Sequence, residues 1–197
     1  MNDAEKLNQL IEKNDGLVLT REATALGIHR QTIATFVKGG KLSKVRAGVY
    51  ITPYSFDDEM YRLQGICGAA IFSHDTALFV HDLSDRVPLQ YTVTLPRGHN
   101  QEGLRRDNVK VVSIRKEWHG FGITTGKTMH GREIRLYSPE RTLCDCISTR
   151  SRVDIALASE AFKRYTARRE KDIPKLMEYA TLFGVDKKVR TYLEVLL

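Results

Sequence analysis

Between residues 16 and 48 the chain is cut at short intervals by glycine, at Gly16, Gly27, Gly39-Gly40 and Gly48. This spacing limits the fold more than any other feature, because glycine weakens a helix interior and favours its end. The pieces between the cuts hold no more than about three helical turns each. Over Ala4–Lys13, Leu7, Leu10 and Ile11 make one apolar stripe, and "NDG" at Asn14–Gly16 ends that helix. Leu17–Leu19 is a short apolar step. Thr20 is placed to cap a second helix, which carries Ala23 and Leu26 inward and closes at Gly27. A third helix starts near His29 or Arg30 and runs to about Lys38, with Ile33, Phe36 and Val37 on one face. Two short helices joined by a tight turn at Gly27-Ile28 match a helix-turn-helix. Leu42–Arg46 and Val49–Thr52 then flank Ala47-Gly48 as a hairpin, with Leu42 and Val45 alternating against Lys41, Ser43, Lys44 and Arg46. A basic hairpin directly after a recognition helix is a wing.

The stretch "GIHRQTIATFVKGGKLSKVRAGVY", Gly27–Tyr50, contains neither Asp nor Glu, and its nearest acids are Glu22 and Asp57. A solvated surface normally mixes both signs, so an acid-free run points to a polyanion. Projection at the helical period puts Gln31, Thr35 and Lys38 opposite the apolar face, flanked by Arg30, Thr32 and Ala34. His29 and Arg30 stand at the N-terminal end, where a recognition helix meets base edges. Gln, Thr and Arg are side chains that read adenine, guanine or phosphate. The candidate DNA-binding set is Arg21, His29, Arg30, Gln31, Thr32, Thr35, Lys38, Lys41, Lys44 and Arg46. The plain alternative is a small helical cap whose lysines face water.

Charge is distributed in the same sense. The net charge of +7 arises at the ends: residues 1–55 hold eight Lys/Arg against five Asp/Glu, residues 150–197 eleven against seven, and the middle is balanced. Basic ends are the electrostatic footprint of a nucleic-acid binder, and also a route to solubility. With 42% hydrophobic residues the 197-residue chain reads as one large globular domain or two small ones, and disorder is not the default. No apolar run reaches the roughly 20 residues of a membrane span. The polar start "MNDAEKLNQLIEKN" has no apolar h-region, so export is not expected. Cys67, Cys144 and Cys146 are odd in number and suit a reducing cytosol, with buried thiols favoured over a metal site.

Beyond a linker at Pro53–Asp58, a helix is expected over Glu59–Gly65, a strand over Ala69–Ser73 and a helix from His74 or Asp75 to about Leu83. Strands follow at Tyr91–Leu95, Val109–Ile114 and Ile134–Tyr137. Before the second of these lies a polar loop, Pro96–Asn108, with Arg97, Arg105 and Arg106; before the third lies a hairpin-rich stretch, Gly120–Gly131. Ser138 caps a helix with Pro139 at its first position and Glu140 in its first turn, and Arg141 and Asp145 lie four apart on it, placed to pair. From Val153 the pattern is helical, with Ile155, Leu157, Ala158 and Phe162 inward, and Ile173–Phe183 and Val189–Leu197 are the last helices. "RRE" at Arg168–Glu170 and "KKVR" at Lys187–Arg190 read as solvated helix faces, with a second nucleic-acid or partner surface as the alternative. The fold class is α+β: an N-terminal winged helix-turn-helix, residues 1–53, and a mixed α/β C-terminal domain, residues 54–197, ending in helices. His74-Asp75 and His81-Asp82 are tempting catalytic pairs. There is, however, no phosphate-cradling glycine loop, nucleophile elbow or zinc-protease helix, and caps explain Asp75 and Ser138 more simply.

"LTREATALGI", the short recognition helix and "GKLSKVRAGVY" as wing resemble the N-terminal segment of the AbiEi family, antitoxins of bacterial abortive-infection type IV toxin–antitoxin systems. "IFSHDTAL", "HDLSD", "YTVTLP" and "YSPERTLCDCI" resemble stretches that follow the wing in that family, in the same order. The resemblance covers nearly the whole chain and is weakest after about Arg150. It implies a cytoplasmic antitoxin and transcriptional autorepressor that binds inverted repeats of double-stranded DNA in its own promoter. It also implies a nucleotidyltransferase-like toxin that is neutralised without a stable complex, and no enzyme activity, cofactor, metal or membrane partner. Two other classes stay open: a DNA-processing enzyme with a winged-helix targeting domain, and a protein-interaction module.

Overall fold

A computed structural model describes residues 1–55, 58–102, 104, 107–149, 151 and 153–197. Arg105 and Arg106 of the expected polar loop, and Phe56 and Asp57 of the expected linker, lie outside the described residues. The chain divides into two compact units, Met1–Ile66 and Cys67–Leu197.

The first unit begins with helix α1 (Asp3–Lys13), started by a capping box: Asn2 accepts from the N–H of Glu5, and Glu5 accepts from that of Asn2. Strand β1 (Leu17–Leu19), helices α2 (Thr20–Ala25) and α3 (Arg30–Lys38), and strands β2 (Ser43–Arg46) and β3 (Val49–Ile51) follow. The strands form an antiparallel sheet in the order β1-β3-β2. A helix, a helix-turn-helix and a β2–β3 hairpin closing onto β1 make a winged helix-turn-helix. Its core gathers Leu7 and Leu10 of α1, Val18, Ala23, Ile28, Ile33 and Phe36 of α3, and Leu42.

Three local expectations fail here. Thr20 is not a cap but the first helical residue, preceded by Leu19 with no side-chain cap bond. Leu26 falls at the C-cap of α2, off the helical projection that turned it inward, and is exposed. Val45 is also exposed, because the register shifts between Lys44 and Arg46 and the strand's alternation breaks there.

Helix α4 (Glu59–Ile66) completes the first unit. Tyr61 and Ile66 pack on a cluster formed by Leu17, Leu19 and Val49. Gly65 lies so close to Leu19 that a Cβ there would stand 2.3 Å from Leu19 Cδ1. This packing carries the compact unit past the boundary expected at residue 53, to Ile66.

In the second unit strand β4 (Ile71–Phe72) leads into helix α5 (His74–Val80). Strands β5 (Thr92–Pro96) and β6 (Lys110–Ile114), the short helix α6 (Lys116–His119), and strands β7 (Ile123–Lys127) and β8 (Glu133–Tyr137) follow. They build a mixed sheet in the order β6-β5-β4-β8-β7, in which β4–β8 and β5–β6 are parallel and β4–β5 and β7–β8 antiparallel. Helices α7 (Pro139–Cys146), α8 (Ile155–Thr166), α9 (Ile173–Leu182) and α10 (Asp186–Leu196) end the chain. Their core includes Leu143, Cys144, Ala161, Phe162, Leu176 and Val189. Leu157, Ala158 and Phe162 point inward as expected. Ile155 does not: it occupies the first position of α8, where nothing packs over it, and is exposed. Helix α6, only four residues long, has no periodicity by which the sequence reveals it.

Candidate nucleic-acid interface

Helix α3 owes its position to its apolar face. Ile33 and Phe36 are buried and Val37 half-buried, which turns His29, Arg30, Gln31, Ala34, Thr35 and Lys38 to solvent and leaves Thr32 half-buried. The N-terminus of α3 has no cap of its own; instead the His29 N–H donates to Asp3 Oδ2 of α1 at 2.8 Å. Lys6 of the same helix donates to the Leu26 carbonyl at 3.3 Å, so α1 holds the turn between α2 and α3 from both sides.

The wing is tied to α2 by one backbone bond, from the Thr20 N–H to the Gly48 carbonyl at 2.9 Å. Gly48 turns there with φ +78°, a left-handed conformation that glycine adopts without strain. Lys41 lies over the Phe36 ring, its Nζ 5.2 Å from the centroid, which orders its stem while the ammonium stays exposed. Lys44 is exposed and Arg46 half-exposed on β2.

Arg30, Lys38 and Lys44 carry no ion pair among the described residues. Glu22, the nearest preceding acid, accepts from Asn14 Nδ2 at 2.8 Å and is thereby engaged. Most of the candidate set, namely Arg30, Gln31, Thr35, Lys38, Lys41 and Lys44, is exposed along α3 and the wing, a run with no acid of its own, while Asp3 of α1 lies against its start. Two of its members differ from expectation. Arg21 donates to the Gln64 carbonyl of α4 at 3.3 Å, so part of its guanidinium is used in holding the unit together. The Thr35 hydroxyl donates to the Gln31 carbonyl at 3.0 Å, which leaves it able only to accept a further hydrogen bond. Sequence reasoning also missed a recess between α2 and the wing turn, lined by Thr20, Arg21, Thr24, Arg30 and Gly48. It depends on the Thr20–Gly48 contact, for which no periodic pattern exists.

In the second unit the tempting histidine–aspartate pairs do not assemble. His74 Nδ1 meets Ser73 Oγ at 3.0 Å, and His81 Nε2 meets the Tyr137 carbonyl at 2.7 Å. Asp75 accepts from the adjacent Thr76 N–H, in the first turn of α5 rather than as its cap. Burial lowers the pKa of both histidines and so keeps them neutral. Ser138 is the cap of α7, accepting from the Arg141 N–H at 3.4 Å and donating to Glu140 Oε2 at 2.9 Å. Tyr165 donates to the other oxygen of Glu140 at 2.9 Å.

Arg141 is wholly buried and pairs with Asp145 at 3.0 Å, as the spacing of four indicates. It donates further to the carbonyls of Trp118 and Phe121 and lies over the rings of Tyr137 and Phe183. The three cysteines are free and buried; burial pushes the Cys144 thiol up to about 12 and raises Cys146 as well. Such thiols are poor nucleophiles at neutral pH. Among the described residues no three His, Cys, Asp or Glu side chains are grouped to hold a metal, and no helix is long and apolar enough to cross a membrane.

Residues 5–53 match the family model described as transcriptional regulator, AbiEi antitoxin. A search of curated proteins finds no match. The matched segment spans α1 through the wing, so the resemblance read from the sequence holds over the helix-turn-helix.

Proposed function

We propose that this protein is the antitoxin of a type IV toxin–antitoxin system acting in abortive phage infection. We further propose that it represses its own promoter by binding inverted repeats there through its first unit. The observation that carries the reading is the run of α3 and the wing, which holds no acid of its own and leaves Arg30, Lys38 and Lys44 without an ion pair among the described residues, on a unit whose residues match antitoxin regulators. Gln31, Thr35 and His29 meet base edges, while Arg30, Lys38, Lys41, Lys44 and Arg46 hold phosphates and set the register. Arg21 and Thr32 sit at the margin of this contact. The second unit neutralises a nucleotidyltransferase-like toxin in the cytoplasm without forming a stable complex with it, and has no catalytic role.

A shift assay with the DNA upstream of its own gene tests the reading. The full chain is expected to bind that DNA more tightly than a scrambled duplex, with affinity falling as salt rises. Equal affinity for both duplexes, or binding indifferent to salt, overturns it.

A further inference from the structure

We propose that a recess in the second unit, between residues 86–90 and the start of β6, binds a mononucleotide. This site lies wholly outside the DNA-binding unit and is independent of the promoter reading.

The recess is an open depression of about 500 Å³, within the size range of small-ligand pockets. Its lining divides by chemistry. Arg86 and Lys110 are cations with no ion pair among the described residues, and the one acid of the lining is Asp75. Val87 and Leu89 leave 69% and 99% of their surface in water and, with Leu157, border the recess with apolar surface.

The amides add direction. Gln90 Nε2 donates to Asn108 Oδ1 at 2.5 Å, which sets the two exposed side chains against each other. Gln90 Oε1 remains as an acceptor and Asn108 Nδ2 as a donor, the complement of a base edge that offers one of each. The backbone beside the recess turns left-handed at two non-glycine residues, Asn108 with φ +51° and His74, next to Asp75, with φ +53°. Each part of a mononucleotide then has a partner. Arg86 and Lys110 take the phosphate, the Gln90–Asn108 pair takes the base edge, the Val87–Leu157 surface covers the base, and the Asp75 carboxylate accepts from a ribose hydroxyl.

Calorimetric titration of the full chain with AMP, GMP, CMP and UMP, with the matching nucleosides and with inorganic phosphate, tests the proposal. At least one mononucleotide is expected to bind at one site per chain, roughly tenfold or more tighter than its nucleoside and than phosphate. Arg86→Ala combined with Lys110→Ala is expected to weaken it by about tenfold or more, and Leu89→Ser by a smaller factor, with the thermal midpoint unchanged. Lys163→Ala, an exposed cation of α8 outside the recess, is expected to leave it unaltered. Absence of saturable binding by all four mononucleotides overturns the proposal. So does phosphate binding as tightly as the mononucleotide, or binding that survives the double substitution.

Discussion

Arg141 and Asp145, four residues apart on α7, form a buried ion pair at 3.0 Å, and the guanidinium is sealed between the rings of Tyr137 and Phe183. Removing one partner of such a pair leaves an uncompensated charge in the core. Asp145→Ala is therefore expected to cost about 3–5 kcal/mol. The chain's single tryptophan, Trp118, accepts from Arg141 through its carbonyl and stacks edge-on against Phe183, so its fluorescence in a urea titration reports on this site. A midpoint unchanged by Asp145→Ala would show that water reaches Arg141.

The first unit is expected to fold alone as residues 1–66 and to lose stability when cut at residue 53. Without α4, the cluster of Leu17, Leu19 and Val49 loses the cover of Tyr61 and Ile66. Exposing even one such side chain costs about 1.5–3 kcal/mol. Thermal melts of the two fragments, with Gly65→Ala in the longer one as a test of the Leu19 contact, check this. Equal midpoints would place α4 outside the folding unit.

These two cases mark what the sequence made legible. The Arg141–Asp145 pair was readable because both residues lie on one helix, where a spacing of four fixes adjacency. The winged helix was readable for the same reason: its apolar stripes, glycine stops and hairpin are local signals, and Ile33 and Phe36 lie where the 3.6-residue period puts them. The boundary at Ile66 was not, because Gly65 against Leu19 is a contact between residues far apart in sequence, and glycine carries no periodicity. Val45 and Leu26 failed at a strand bulge and a helix C-cap, the two places where a simple period stops applying. The basic residues of the candidate interface are legible by type alone. That Arg21 is partly spent on Gln64, and Thr35 on Gln31, depended on hydrogen bonds that composition does not encode.

Reading and holding are expected to separate within the interface. Lys44 is exposed on the wing with no carboxylate partner among the described residues, so Lys44→Ala is expected to weaken all duplexes alike and reduce the salt slope by about one ion. Gln31 stands on the exposed face of α3, so Gln31→Ala is expected to reduce discrimination between operator and scrambled DNA by about 1–3 kcal/mol. Shift assays across a salt series distinguish the two effects. Operator binding by both variants equal to that of the unsubstituted protein would move the interface elsewhere.

If antitoxin action resides in the second unit, a chain beginning at Cys67 is expected to protect cells from the toxin while failing to repress the promoter. Co-expression with the toxin, scored by colony survival beside a promoter reporter, reads both at once. Survival lost together with repression would mean that neutralisation needs the wing.

The second unit is expected to lose stability as pH falls below about 6.5, the ordinary histidine value. His74 and His81 have pKa values lowered chiefly by burial. Below about pH 6.5 the unfolded chain therefore takes up protons that the folded chain refuses. Above that pH both states are neutral and the histidines contribute nothing further, so the loss is confined to the acid side, with a slope of up to about 1.4 kcal/mol per pH unit for each histidine. The cysteines act in the opposite direction at the alkaline end. Burial raises Cys144 to about 12, so the unfolded thiol ionises first as pH rises past its ordinary value and stability declines there too. Urea midpoints from Trp118 fluorescence at pH 5.0, 6.0 and 7.5 measure the acid limb. His74→Asn is expected to flatten it, and asparagine also suits the left-handed backbone at that position. A limb of unchanged slope in that variant would assign the acid sensitivity to other groups.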